Sequence, residues 1–153
     1  MAPPGDTKGY LLRAPATDSE WAAYHRIRRT ALFEPYHPEV VYDPKHPDEH
    51  AAGKHPLVLI KDGRVIGTIR IDDFDAERAA FRIIAIDRAH QGRGHGAALL
   101  RLAEDFARRL GRRRVVLHGN PPNVEFYLRN GYREAAWDDD VALGDSIDLV
   151  KEL

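Results

Sequence analysis

Between positions 91 and 96 the chain reads Gln91-Gly92-Arg93-Gly94-His95-Gly96, with three glycines at alternate positions. Glycine has no Cβ, so such a stretch can turn its backbone N–H groups toward one point without obstruction. Leu99, Leu102, Ala103, Phe106 and Leu110 follow at steps of three and four, the period of an amphipathic helix. Inward N–H groups just ahead of a helix N-terminus form a site for phosphate. A plain strand-to-helix turn would need one glycine, not three. A dinucleotide fingerprint is the other phosphate pattern to weigh, because Gly92, Gly94 and Ala97 satisfy G-x-G-x-x-A. It fits poorly. Four residues separate Ile86, where the preceding apolar run ends, from Gln91, and no acidic residue closes the next apolar run at His118. Only 57 residues follow Gly96, too few for the rest of a doubly wound sheet. A second pattern, His46-Pro47-Asp48-Glu49-His50, matches H-x-x-E-H, a zinc-protease spacing. Zinc catalysis would need those residues on a stable helix and a third ligand. The segment lies among prolines with no long apolar helix to carry it, so no metal is expected.

The elements that must position the glycine loop follow from the pattern on either side of it. Residues 81–86 are an Ile-rich apolar run and read as a buried strand. Residues 57–61 and 64–72 flank Asp62-Gly63, a strong hairpin signal, so three strands precede the loop in antiparallel succession. Residues 10–13 can be a first strand. Thr17-Asp18-Ser19-Glu20 fits a capping box that opens a helix with Trp21, Tyr24, Ile27 and Ala31 on one face. Pro35 should end that helix. Residues 34–56 carry five prolines and four histidines and read as an ordered loop, with one helical turn near 48–52. Beyond the loop helix, which Gly111 terminates, residues 114–118 form a strand expected to run parallel to 81–86. A short helix opens at Pro121 or Pro122 and carries Val124, Phe126, Tyr127 and Leu128. Strands at 132–137 and 146–151 close the chain across the acidic turn Asp138-Asp139-Asp140. The expected fold is a single α/β (α+β) domain over 1–153, with 1–9 as a flexible extension. Its sheet would be mixed and mainly antiparallel, of about seven strands, with three or four helices.

Composition excludes several classes of function. The chain has 153 residues, 43% hydrophobic and 31% charged, with a net charge of −1 and a pI near 6.7. No global field draws it to nucleic acid or to a membrane surface. The basic run at 108–114 brackets a helix C-terminus, where cations suit the helix dipole. Without cysteine there is no thiol nucleophile and no Cys-ligated metal, which permits a reducing cytoplasm. No apolar run approaches membrane-spanning length, and the N-terminus lacks a signal-peptide core.

The residues around the loop resemble the GCN5-related N-acetyltransferases. That family's signature, Q/R-x-x-G-x-G/A after a strand, is similar to Gln91-Gly92-Arg93-Gly94-His95-Gly96, and Ile84-Ala85-Ile86 resembles its apolar strand end. The usual proline two residues later is replaced by Arg88. Phe126-Tyr127 with Gly131-Tyr132 is similar to the family's F/L-Y-x-x-x-G-F/Y, so the resemblance spans residues 57–132.

The resemblance implies an acetyl-CoA-dependent N-acetyltransferase with no metal, acting by direct attack of an amine in a ternary complex. It implies central strands that splay between 81–86 and 114–118. Residues Gln91, Gly92, Arg93, Gly94, His95 and Gly96 would hold the pyrophosphate. Ile84, Ala85 and Ile86 would pair with the pantetheine arm, and the Ile86 N–H would stabilise the oxyanion. Tyr127 would be the general acid: a phenol titrating at about 10 stays protonated while it meets a thiolate of pKa about 8.5. Asn120, seven residues before it, and Asn123, four before it, are further cofactor contacts. His118, at the strand end, is the candidate base, with Asp72 and Asp73 as alternatives more simply read as solvating a turn. Residues 36–55 would either cover the acceptor pocket, with Asp43, Asp48 and Glu49 attracting a cationic amine, or form a solvated surface loop. The acceptor would be a small-molecule or peptide amine, the location cytoplasmic, and a homodimer is compatible with the family. The rivals are an acyl-CoA sensor of the same fold without turnover and a nicotinamide-dinucleotide-binding protein.

Overall fold

The structure is a computed structural model and describes residues 5–137 and 145–153. Strand β1 (Tyr10–Arg13) leads to helix α1 (Asp18–Arg28), whose first turn is capped by the Thr17 hydroxyl accepting from the Glu20 N–H at 3.2 Å. The expected reciprocal bond reaches one residue further back: the Glu20 carboxylate accepts from the Ala16 N–H at 2.7 Å and from both Nη atoms of Arg13. Tyr24, Ile27 and Ala31 are buried on one face, as the period requires.

Pro35 does not stop this helix. The ladder widens into a π turn at Arg29–Phe33, where the Glu34 N–H reaches the Arg29 carbonyl, and continues into a single turn α2 (Glu34–Tyr36). The π turn resets the ladder, so Pro35 falls at a first-turn position where its missing N–H has no bond to break. A 3₁₀ turn at Pro47–His50 occupies the following loop.

Strands β2 (Lys54–Lys61) and β3 (Arg64–Asp73) form the expected hairpin, with φ of 51° at Asp62 and 76° at Gly63 supplying the two positive values of a two-residue turn. β2 starts three residues early and includes Pro56. β1 covers only Val58 to Lys61, so Pro56 sits where β2 is an edge. β4 (Arg78–Ile86), α3 (His95–Arg109), β5 (Arg114–Gly119), a 3₁₀ turn at Pro121–Asn123, α4 (Val124–Arg129), β6 (Arg133–Glu134) and β7 (Ile147–Glu152) follow. The expected acidic turn at 138–140 lies outside the described residues.

The seven strands form one sheet in the order β1-β2-β3-β4-β5-β7-β6, in which β4 and β5 are the parallel pair and the other neighbours are antiparallel. One face, with Leu59, Ile69, Ile71, Phe81, Val115, Leu117 and Leu149, packs on α3. Leu99, Leu100, Ala103 and Ala107 take the fully buried positions of that helix, while Leu102, Phe106 and Leu110 are half-buried at its flanks. Glu104 is buried in the same stripe, accepting from the Tyr132 hydroxyl at 2.9 Å and from Lys151 at 3.0 Å. The other face meets α1 and the π turn, with Ile27 and Ala31 packed on Ala85 of β4. The basic run is distributed over separate acidic partners: Arg108 on Asp105, Arg112 on Asp73, Arg114 on Glu152. Among the described residues no helix is long and apolar enough to cross a membrane.

Pairing between β4 and β5 stops early. Its rungs run from Arg78 with Arg114 to Phe81 with Leu117, while β4 continues to Ile86 along β3 alone. In that extension β4 bulges: Thr68 faces Ala85 and Arg70 faces Arg82, so Ile83 and Ile84 together oppose Ile69. Ile83 takes a φ of 55°, a costly conformation for a β-branched residue, and the bulge re-aims the strand at the mouth of the splay.

Candidate active site

The splay opens into two cavities that share a wall. The larger, about 760 Å³, lies between the free edge of β4, the glycine loop and α4; it is lined by Ile84, Ala85, Ile86, Gln91, Gly92, Gly94, His95, Gly96, Asn123 and Tyr127 among others. The smaller, about 410 Å³, lies on the other side of the bulge and is lined by Asp48, Lys54, Arg70, Asp72, Arg82, His118, Asn120, Asn123 and Tyr127. Leu32, Ile84, Asn123 and Tyr127 border both.

Two of the loop glycines act through their conformation. Gly92 and Gly94 have φ of 77° and 84°, and the space a Cβ would fill is empty to 4 Å. Gly94 is the N-cap of α3, so the N–H groups of its first turn, which have no partner within the helix, open beside the cleft. Gly96 acts differently: a Cβ there would stand 3.0 Å from Cζ of Phe126, so it lets α4 approach α3. The Gln91 side chain donates to the Ile86 carbonyl at 3.0 Å, tying the loop to the strand end. Arg93 is exposed and does not line the cleft. His95 shares a 2.6 Å hydrogen bond with the Tyr10 hydroxyl. Burial first, then the neighbouring His90, Lys61 and Arg93, lower its pKa, so it stands neutral at the helix start.

Tyr127 is 6% exposed, and its ring lies against Phe126, Tyr132 and the backbone of Gly119. A Cβ on Gly119 would come within 3.2 Å of that ring. Burial pushes the phenol well above its ordinary pKa, so it carries its proton throughout the neutral range.

A splayed parallel pair, a glycine loop at a helix start and a buried tyrosine thus meet at the junction of two cavities. The profile described as the Acetyltransferase (GNAT) family matches residues 21–132. The chain belongs to the GNAT family of acetyltransferases. Its fold is shared with spermidine N-acetyltransferase from Vibrio cholerae, solved in complex with CoA and spermine, at a TM-score of 0.75 and 20% identity, covering 94% of this chain and 95% of that one. A GNAT family acetyltransferase from Elizabethkingia anophelis with acetyl-CoA bound aligns at a TM-score of 0.69 and 17% identity over 95% and 99% of the two chains. An acetyltransferase from Streptococcus agalactiae gives 0.70 and 17%, with the same coverages. No curated protein sequence matches the chain.

The remaining expected residues of this GNAT domain fall mainly around the smaller cavity. His118 lines it, with Nδ1 sharing a 2.8 Å hydrogen bond with Asp148, its cross-strand neighbour on β7. The imidazole stacks on Trp137 at 4.4 Å, and Trp137 is anchored through its Nε1 donating to the Leu117 carbonyl. Asn120 lines this cavity and not the larger cleft, whereas Asn123 touches both. Asp72 and Asp73 do not merely solvate a turn. Asp72 is buried against Arg70, Lys54 and Arg82, and Asp73 contacts His55 and Arg112 at 3.4 Å each.

The H-x-x-E-H segment is not convergent. His46 accepts from the Asp48 N–H, His50 lies beside Trp21, and Glu49 turns inward to accept from the Tyr24 hydroxyl at 2.9 Å and from Arg28. Among the described residues no group of three such side chains could hold a metal. Glu49 is buried on Tyr24 and Arg28 and lines neither cavity; Asp48 alone of the three expected acids lines the smaller one. Asp148 and Gly119 went unread in the sequence because their roles arise from cross-strand and ring contacts that leave no local pattern.

Proposed function

We propose that the chain is an acetyl-CoA-dependent N-acetyltransferase that holds thioester and amine together and lets the amine attack directly. The observation that carries this reading is the junction: the cleft beside the glycine loop and the smaller cavity meet at Tyr127 and Ile84. The residues present fit the co-substrate, since the Gly92 and Gly94 backbone is open where a phosphate must approach and the β5-facing edge of β4 beyond Phe81 has no strand partner among the described residues. When bound, acetyl-CoA would supply the acetyl group as a thioester.

The chain's own residues then have separable tasks. The N–H groups of Gly92 to Gly96, with the α3 dipole behind them, bind the pyrophosphate. The Asp87 N–H bonds the Ile66 carbonyl on β3. By strand alternation the Ile86 N–H therefore points to the open side, where it can donate to a developing oxyanion. Tyr127 keeps its proton at the phenol oxygen for the departing sulfur. His118, held by Asp148, accepts the proton of the attacking amine, directly or through water. A cysteine-free chain suits work in a reducing cytoplasm.

Calorimetry with acetyl-CoA, followed by release of CoA thiol over a panel of amines, tests the reading. Binding with amine-dependent release is the expected result. Tight NADP binding without acetyl-CoA binding would overturn it, and binding with no release to any amine would favour a sensor. Within the same titration, Gly94→Val should weaken acetyl-CoA binding about tenfold, because an L-residue resists the left-handed conformation the cradle needs. An unchanged Kd would remove the cradle from the binding site.

A further inference from the structure

Among the described residues, the floor of the smaller cavity carries more positive charge than its own carboxylate can balance. Register brings the groups to one face of the sheet: Lys54 pairs with Asp72 across β2 and β3, and Arg70 with Arg82 across β3 and β4. Asp72 therefore sits amid three cations. Its Oδ1 accepts from Arg70 Nε at 2.8 Å, and its Oδ2 from Arg70 Nη2 at 3.0 Å and Lys54 Nζ at 2.9 Å, with Arg82 Nε 3.5 Å away. Asp72 and Arg70 are buried at 3% and 8% exposure. Like charges directly opposite on neighbouring strands repel, and removing them from water is costly unless each is paired. Arg82 is the least engaged of the three: its guanidinium stands over the Trp137 ring at 5.5 Å, and its Nε, though buried, makes no hydrogen bond among the described residues. The other carboxylate that lines this cavity among the described residues, Asp48, has a side chain 47% exposed and sits at the solvent side.

Such an excess beside a reaction junction is a site for an anion. Arg82 stands two positions before Ile84, which borders both cavities, so a group held by Arg82 lies next to the attacking position. A planar guanidinium matches a carboxylate, and Lys54 adds a point charge beside it. A polyamine would meet net repulsion on the same floor.

We propose that the acceptor is an amine that also carries a carboxylate, an amino acid or a near relative, and that Arg82 and Lys54 hold that carboxylate. This deepens the acetyltransferase reading and rests on it. The test compares each common amino acid with the amine left by its decarboxylation, such as lysine with cadaverine and phenylalanine with phenethylamine. Two readouts are taken: kcat/KM for CoA release, and calorimetric affinity for protein saturated with CoA, a complex that cannot react. The best carboxylate-bearing acceptor should exceed its decarboxylated partner about tenfold or more in both. Arg82→Gln should bring that ratio toward one, with acetyl-CoA affinity as the control for folding. Equal or greater use of the decarboxylated partners, no turnover of any amino acid, or a ratio unmoved by Arg82→Gln would each overturn the proposal. Loss of acetyl-CoA binding in the unmodified chain would instead sink the acetyltransferase reading itself, so the two failures are distinguishable.

Discussion

Tyr127→Phe should lower kcat about a hundredfold or more while leaving acetyl-CoA affinity within about twofold. The substitution removes one oxygen and keeps the ring. The contacts of that ring with Phe126, Tyr132 and the Gly119 backbone survive, so the walls of both cavities keep their shape. The lost property is a proton held at the junction by a phenol whose pKa burial has raised. Steady-state turnover and calorimetry, read together, separate that loss from a loss of binding. Turnover equal to that of the unmodified chain would remove Tyr127 from the proton path.

The second large effect is on stability. Glu49→Ala should cost about 3 kcal/mol or more, because it leaves Arg28 buried and uncompensated. Both side chains are 3% exposed, and Tyr24 loses its acceptor as well. Urea unfolding of the variant checks the figure. The double variant Glu49→Leu with Arg28→Leu should recover much of the loss, since an apolar pair leaves no buried charge behind. A single-variant loss below about 1 kcal/mol, the range of an exposed pair, would show that Glu49 does not anchor the loop. Chelators should leave the unfolding curve unchanged, which separates this anchor from a zinc site.

What was legible in the sequence was local. Asp62-Gly63 announced its hairpin because a two-residue turn needs two positive φ values, and residues 91–96 announced a phosphate cradle because only glycine supplies such backbone cheaply. The antiparallel run of β2, β3 and β4 and the parallel β4–β5 pair followed from the spacing of apolar runs and from the crossover through α3, whereas the insertion of β7 between β5 and β6 left no local signal. Pro35 misled because the rule against proline assumes an unbroken α ladder, and a π turn upstream suspends it. Glu49 misled because H-x-x-E-H names residue types and not directions; its carboxylate points to Arg28. The tie between Asp72 and Arg82 was hidden for a different reason. They belong to separate strands, and only register shows that one carboxylate must serve three cations. His118 with Asp148 is the same kind of case, a pair joined across β5 and β7.

The early end of pairing between β4 and β5 has a consequence for the life of the protein in the cell. Four rungs join β1–β4 to β5–β7–β6, and the wedge beyond them leaves β4 backbone groups with no strand partner among the described residues, open to solvent or ligand. Part of the cohesion between the two half-sheets is thereby left to whatever fills the cleft. A ligand present at a hundred times its Kd adds about 2.7 kcal/mol to the folded state. Resistance to proteolysis, and with it the steady-state amount of the protein, should then rise and fall with the supply of acyl-CoA.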